Sequence, residues 1–262
     1  MTHHITVNEV RSAGEFVISQ LSEYWRDLLT PHLPRVCQEL SWIFVKGGTF
    51  VDIGGGIGFH TSILARLGMK AICVDNFKTR GKGTAADNFY DHDLEAEQIA
   101  HKTGVQFIHT DILKWKPPFE ENSIDVVMSF DNIEHLHHSP RNIYKQIVKC
   151  LKPNGLFLLG GPNAANLFKR VRVSLGKNIF SKLEDWYMHE QYIGHVREPI
   201  VSDLIYIVED LDLKVVKVFG RNWLGLKILR GRKQVLAQIL SKSLEPFPTL
   251  CSDIYILATK EK

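Results

Sequence analysis

The stretch VDIGGGIGFH, residues 51–60, decides the fold. An apolar run ends in an acid, Asp52, and Gly54, Gly55, Gly56 and Gly58 follow it at once. A glycine turn after a strand lets a ligand approach the backbone. A phosphate loop of the G-x-x-x-x-G-K-[ST] type needs a lysine after the glycines, and none stands here. A dinucleotide fingerprint read from Gly54 needs a third glycine at 59, where helix and strand pack closely; that position is Phe59. The spacing that does fit is G-x-G-x-G, with Gly54, Gly56 and Gly58. A pyrophosphate disfavours a carboxylate at 52, whereas a ligand with a cationic amine accepts one.

Working outward, TFVDI (49–53) reads as a buried strand and FHTSILARLG as a helix stopped by Gly68. KAICVD gives a second strand ending in Asp75, and a polar, glycine-rich segment fills 76–90. DLEAEQIAHKTG is helical, VQFIHTD is a third strand ending in Asp111, and SIDVVMSF is a fourth. RNIYKQIVKCLKPNG is a helix with its stop, and LFLLGG is a fifth strand. Strict alternation of strands and helices implies βαβ crossovers and a parallel sheet covered on both faces. VSDLIYIVEDLDL is one more helix, and KVVKVFG and DIYILATK are the last two strands. Before the sheet, apolar residues at helical spacing predict a helix over 15–29 and, after Pro31 and Pro34, a second carrying Val36, Leu40 and Phe44. The expected organisation is a helical N-terminal extension or lid over 1–48 and an α/β domain over 49–262. Insertions on the substrate side fall at about 163–198 and 221–250.

Composition is that of an ordinary globular protein: 262 residues, 44% hydrophobic and 23% charged, with a formal charge of +3. That charge is too small to argue for nucleic acid. The four cysteines are widely spaced and two sit in apolar runs, so reduced thiols and a reducing compartment are expected. No apolar signal region or membrane-length run occurs, which makes the cytoplasm the expected location.

VDIGGGIGFH resembles the first motif of the class I S-adenosylmethionine-dependent methyltransferases, and further motifs follow in that family's order. By this resemblance Asp75 takes the ribose hydroxyls and Asp111, in FIHTDI, lies near the adenine amino group. Asp52, Gly54, Gly56, Gly58, Asn76, Ile112 and Phe130 complete the cofactor side. SIDVVMSFDNIEHL resembles the fourth motif and LKPNGLFLL the passage into the fifth strand. The resemblance is strong over about 49–160 and implies a Rossmann-like, doubly wound sheet of seven mostly parallel strands with one antiparallel strand. The cofactor it implies is S-adenosyl-L-methionine. A weaker similarity to enzymes acting on sugars of surface glycans makes a hydroxyl of a sugar or glycan precursor the expected acceptor. Rival readings are an N-methyltransferase, a lipid or quinone methyltransferase, a non-catalytic cofactor-binding module, and an NAD-dependent oxidoreductase.

A hydroxyl acceptor needs a base. SFDNIEHLHHSP, after the fourth strand, offers Asp131, Glu134, His135, His137 and His138. His135 is the first candidate because its ordinary pKa lies near neutrality; His195, in GHVREP, is the second. The histidines at 135, 137 and 138 lack the usual carboxylate companions, so no metal is expected. Lys78, Arg80 and Lys82, then Lys169, Arg170, Arg172 and Lys177, and then LKILRGRKQ place basic charge in insertions. They fit the phosphates of a nucleotide sugar or lipid carrier. Leu229, Leu236 and Leu240 would face inward if the last segment lay on a membrane surface.

Overall fold

The computed structural model describes residues 5–43, 47–76, 78–80, 89–91, 93–188, 192, 194–222, 239 and 241–261. Three helices come first: α1 (Val7–Gln20), α2 (Glu23–Leu29) and α3 (Leu33–Leu40). Thr6 caps α1 reciprocally with Glu9: its hydroxyl accepts from the Glu9 amide and its own amide donates to the Glu9 carboxylate. The single helix expected over 15–29 is therefore two. Leu21 adopts an extended conformation between them, and this break lets Val17, Ile18, Leu21 and Trp25 all enter the core.

The alternating part runs β1 (Thr49–Ile53), α4 (Phe59–Arg66), β2 (Lys70–Asp75), β3 (Lys78–Arg80), β4 (Phe89–Asp91), α5 (Asp93–Thr103), β5 (Gln106–His109), β6 (Ile124–Phe130), α6 (Arg141–Cys150) and β7 (Leu151–Pro162). Helices α7 (Leu167–Ser174), α8 (Leu183–Tyr187) and α9 (Val201–Asp210) follow, then β8 (Leu213–Arg221) and β9 (Asp253–Lys260). The main sheet has the order β5-β2-β1-β6-β7-β9-β8. β9 is antiparallel to both neighbours and the other pairs are parallel, so the expected seven strands with one reversed are present. β3 and β4 form a separate antiparallel pair in and just past the polar, glycine-rich segment 76–90. α6 ends at Cys150, earlier than the KPNG stop, and residues 151–155 join β7 through a shift of register.

Strand alternation sends residues to both faces. Phe50, Ala71, Cys73, Val126 and Met128 pack with α1, α3, α4 and α5, while Val51, Ile53, Ile72, Val74 and Val127 pack with α6 and α9. Each fully buried apolar side chain of this size contributes about 1.5–3 kcal/mol. Both faces are thus sealed, and polar chemistry is left to the edge where the parallel strands end. Ligands bind at that edge in open α/β sheets. Because β9 runs backwards, its first residues, Asp253 to Tyr255, lie at the same edge, opposite Gly160 to Pro162 of β7.

Candidate active site

The glycine turn leaves β1 at Gly54 and enters α4 at Gly58. Gly54, Gly56 and Gly58 all have positive φ, +75°, +55° and +71°. The reasons differ between the first two. A Cβ at 54 would collide with the Asn132 side chain, which packs beneath the turn and donates to Ser129 Oγ. A Cβ at 56 would meet nothing within 4 Å, so this position is strained for other residues yet open towards a ligand. The Gly56 amide donates to Asp75 Oδ2 at 2.9 Å, joining the end of β2 to the turn.

Asp52 is 1% exposed and its Oδ2 has no hydrogen-bond partner among the described residues. Burial pushes its carboxyl up to about 7; His60 opposes the rise, and Asp75 and Glu39 add to it. Asp52 Oδ2 lies against Gly55, where a Cβ would come within 2.6 Å of it, and a buried carboxyl oxygen in this turn fits a cationic group of a ligand. S-adenosylmethionine carries a sulfonium and an ammonium, and its sulfonium makes the methyl electrophilic. Asp52, Gly56 and Asp75 suit it, with Asn76 exposed just beyond β2.

Asp111 lies two residues past the end of β5. Its Oδ1 accepts from the Leu113 amide at 3.0 Å and its Oδ2 pairs with Lys114 at 3.2 Å, so the carboxylate shapes its own turn while staying exposed to solvent. Ile112 beside it is buried. Phe130, at the end of β6, is buried edge-to-face against Trp42, His60 and Tyr255.

Next to this turn lies a network that the sequence did not reveal. Arg35 of α3 donates to Glu39 at 2.7 Å and to Asp131, which follows β6 with a φ of +48°. Glu39 also bonds His60 Nε2 at 2.8 Å. Burial alone would raise the Glu39 carboxyl; Arg35 and His60 hold it down at about 2. Asp253 joins from β9, pushed up to about 6 by burial despite Arg35 and the 2.5 Å bond from Ser252 Oγ.

Beyond Asp131 the chain makes a single helical turn, Ile133–His135, and here both base candidates meet. The His135 and His195 rings are edge-to-face with centroids 4.8 Å apart. Two backbone bonds bring the segments together: the Glu134 carbonyl accepts from the Val196 amide at 2.6 Å and from the Arg197 amide at 3.3 Å. His195 Nδ1 is 2.8 Å from Glu198 Oε1, and Glu198 also pairs with Lys169 of α7. Burial, the neighbouring His135 and Lys169 together lower His195 to about 4, so it is neutral at pH 7. Glu134 is 1% exposed, and its Oε2 has no hydrogen-bond partner among the described residues. Burial and the nearby Asp131 push its carboxyl up to about 8.

His137 and His138 do not join this corner. They line a separate cleft of about 520 Å³ with Arg141, Arg197, Tyr206 and Asp210, on the α6–α9 side. Of the basic residues expected to meet phosphate, Arg170 donates to the carbonyls of Ala165 and Thr249, and Arg172 to that of Asn178. Lys177 is exposed. Lys82, the segment LKILRGRKQ and Leu229, Leu236 and Leu240 lie outside the described residues, as does Phe44. No helix among the described residues is long and apolar enough to cross a membrane.

A family model described as a methyltransferase domain matches residues 51–159. An uncharacterized methyltransferase of Mycobacteroides abscessus is 25% identical over 125 residues, which cover 47% of this chain and 42% of that protein, less than half the length of either. Among solved structures, a methyltransferase of Thermotoga maritima described as a possible histamine N-methyltransferase is similar with a TM-score of 0.57 and 15% identity. The match covers 94% of this chain and 99% of that one. Phosphoethanolamine N-methyltransferase 2 of Haemonchus contortus, in complex with S-adenosyl-L-methionine, is similar with a TM-score of 0.51 and 16% identity over 83% of this chain and 49% of that one. Residues 51–159 thus match a methyltransferase domain, and the fold is one shared with methyltransferases of known structure.

Proposed function

We propose that the protein transfers a methyl group from S-adenosylmethionine to a hydroxyl of a small polyhydroxylated acceptor, of the sugar or glycan-precursor class. The observation that carries this reading is the meeting of His135 and His195, from distant segments, at the edge where the glycine turn also opens. An amine acceptor is already nucleophilic once deprotonated and needs little beyond alignment. A hydroxyl needs its proton removed as it reacts, and groups dedicated to activation are then required. Asp52, Gly54, Gly56, Gly58, Asp75, Asn76, Asp111, Ile112 and Phe130 are assigned to the cofactor side. His135 and His195 are assigned to acceptor activation, with Asp131 and Asp253 available to accept hydrogen bonds from further hydroxyls. A phosphate on the acceptor would meet the exposed basic segment containing Arg170, Arg172 and Lys177.

One observation favours a second reading, N-methylation: the carboxylates Asp131, Glu134 and Asp253 surround the corner, and an ammonium would be drawn to them. The two similar structures named above also carry N-methyltransferase descriptions. An acceptor screen with methyl-labelled cofactor decides. Label passing to sugars or nucleotide sugars supports the hydroxyl reading, and label passing only to amines replaces it.

A further inference from the structure

We infer that Glu134, His135 and His195 form a binding site for a divalent first-row transition-metal ion. One ligand atom from each of the three lies within 4.8 Å of the others. An ion bound at about 2.0–2.2 Å needs its ligands about 4 Å apart or less. Closing the set takes side-chain adjustments of about 1 Å, within the reach of an exposed His135 and a half-buried His195.

Three further observations point the same way. The Glu134 carboxyl is buried and its Oε2 has no hydrogen-bond partner among the described residues, an arrangement that a bound cation would satisfy. Position 161 is glycine, and a Cβ there would come within 3.0 Å of that same oxygen, so the backbone of β7 leaves the carboxylate room. His195 turns Nδ1 to Glu198, which leaves Nε2 to face a ligand. A carboxylate bonded to the far nitrogen of an imidazole is the arrangement that orients metal-binding histidines. Two imidazoles and one carboxylate suit zinc, cobalt, iron or manganese better than magnesium.

The three ligands were not apparent as a set because His195 is distant in sequence. The histidines that lie close together, 137 and 138, face another cleft. The inference deepens the reading of this corner as the acceptor site: an acceptor hydroxyl bound to the ion would give up its proton to water at lower pH than a free one. Metal binding itself can be tested without any acceptor, so the two readings fail separately.

The test uses the full chain, stripped of metal with a chelator, and titrates it with Co²⁺ while visible absorption is followed. One equivalent should bind with bands that report nitrogen ligation, Zn²⁺ should displace it, and Mg²⁺ should not. Glu134→Gln and His195→Ala should each weaken binding by at least about 100-fold. Glu198→Gln, which takes the charge from the orienting partner and from its pair with Lys169, should weaken it about 10- to 100-fold. Circular dichroism and melting temperature control for folding, and Glu134→Gln keeps the shape of the side chain it replaces. Absence of saturable Co²⁺ binding overturns the inference. So does binding that is equal in wild type and all three variants, because other histidines, such as His3 and His4, would then hold the ion.

Discussion

Arg35 and Asp131 are hydrogen-bonded across 96 positions of sequence, one on the last helix before the sheet and the other just past β6. The N-terminal helices are therefore wired into the edge where the strands end. The same guanidinium holds Glu39, which is 0% exposed.

Replacing Arg35 with Met should destabilise the protein by about 3–5 kcal/mol, because it leaves the buried Glu39 carboxylate with His60 alone. Urea denaturation measures this. The double variant Arg35→Met/Glu39→Gln should recover part of the loss, and a loss of less than about 1 kcal/mol in the single variant would show that the pair is not structural. The pH dependence has a definite sign. Glu39 is held at about 2, below its ordinary value, so its contribution is complete above about pH 5 and disappears as pH falls towards 2. The Glu39→Gln variant should lack that acid limb.

Asp52 has the opposite sign. Its folded-state pKa of about 7 lies above the unfolded value, so this carboxyl makes the unliganded protein less stable as pH rises from about 4 to 7. A ligand ammonium needs the ionised form. S-adenosylhomocysteine should bind about tenfold more tightly at pH 8 than at pH 6, in proportion to the ionised fraction. Calorimetry in buffers of different ionisation enthalpy should show proton release on binding near pH 6. A flat affinity profile in the wild type would remove Asp52 from the cofactor's charge recognition.

Asp75→Ala should weaken cofactor binding by about 1.5–3 kcal/mol, the range for hydrogen bonds to charged groups. The variant also removes the partner of the Gly56 amide, so the turn itself should loosen. Amide exchange at Gly56 would detect this. Unchanged affinity together with faster exchange would make Asp75 a brace for the turn and nothing more.

His135→Ala should lower kcat about 100- to 10,000-fold, with cofactor affinity unmoved. The His195→Ala variant should behave alike under the proposed acceptor activation, since the two rings lie edge-to-face. Wild-type turnover in both variants, measured with an acceptor identified by the label screen, would leave alignment as the only catalytic device and favour an amine.

What was legible in the sequence was what local chemistry dictates. The run from Val51 to Phe59 declares a strand, a glycine turn and a helix start, because glycine adopts the positive φ at 54, 56 and 58 without steric cost. Period and punctuation found the strands of the main sheet, but not the short pair β3–β4. Only the last turns of α1, from residue 15, read as helix; its start at Val7 did not, nor did the break at Leu21, which no proline or glycine marks. His135 and His195 were each visible as reactive types after a strand or an insertion. Their contact depends on two bonds to the Glu134 carbonyl, which leave no trace in residue spacing. Arg35 was not singled out, because its partner Asp131 meets it only in the folded chain. Asp253 was hidden for a different reason: it begins a strand, and only the reversal of β9 brings a strand's beginning to the ligand edge.

That reversal has a consequence for how the molecule is made. β8 precedes β9 in the chain, yet β9 is its neighbour in the sheet. A ribosome that has released β8 has produced a strand with nowhere to dock. The hydrogen-bonding flank of β7 stays bare for the same interval, while more than thirty residues emerge (222–252). Only when the segment from Asp253 onward slides between the two does the barrier to edge-to-edge association rise. Asp253, which begins that segment, reaches the ligand edge beside Pro162 only when β9 docks.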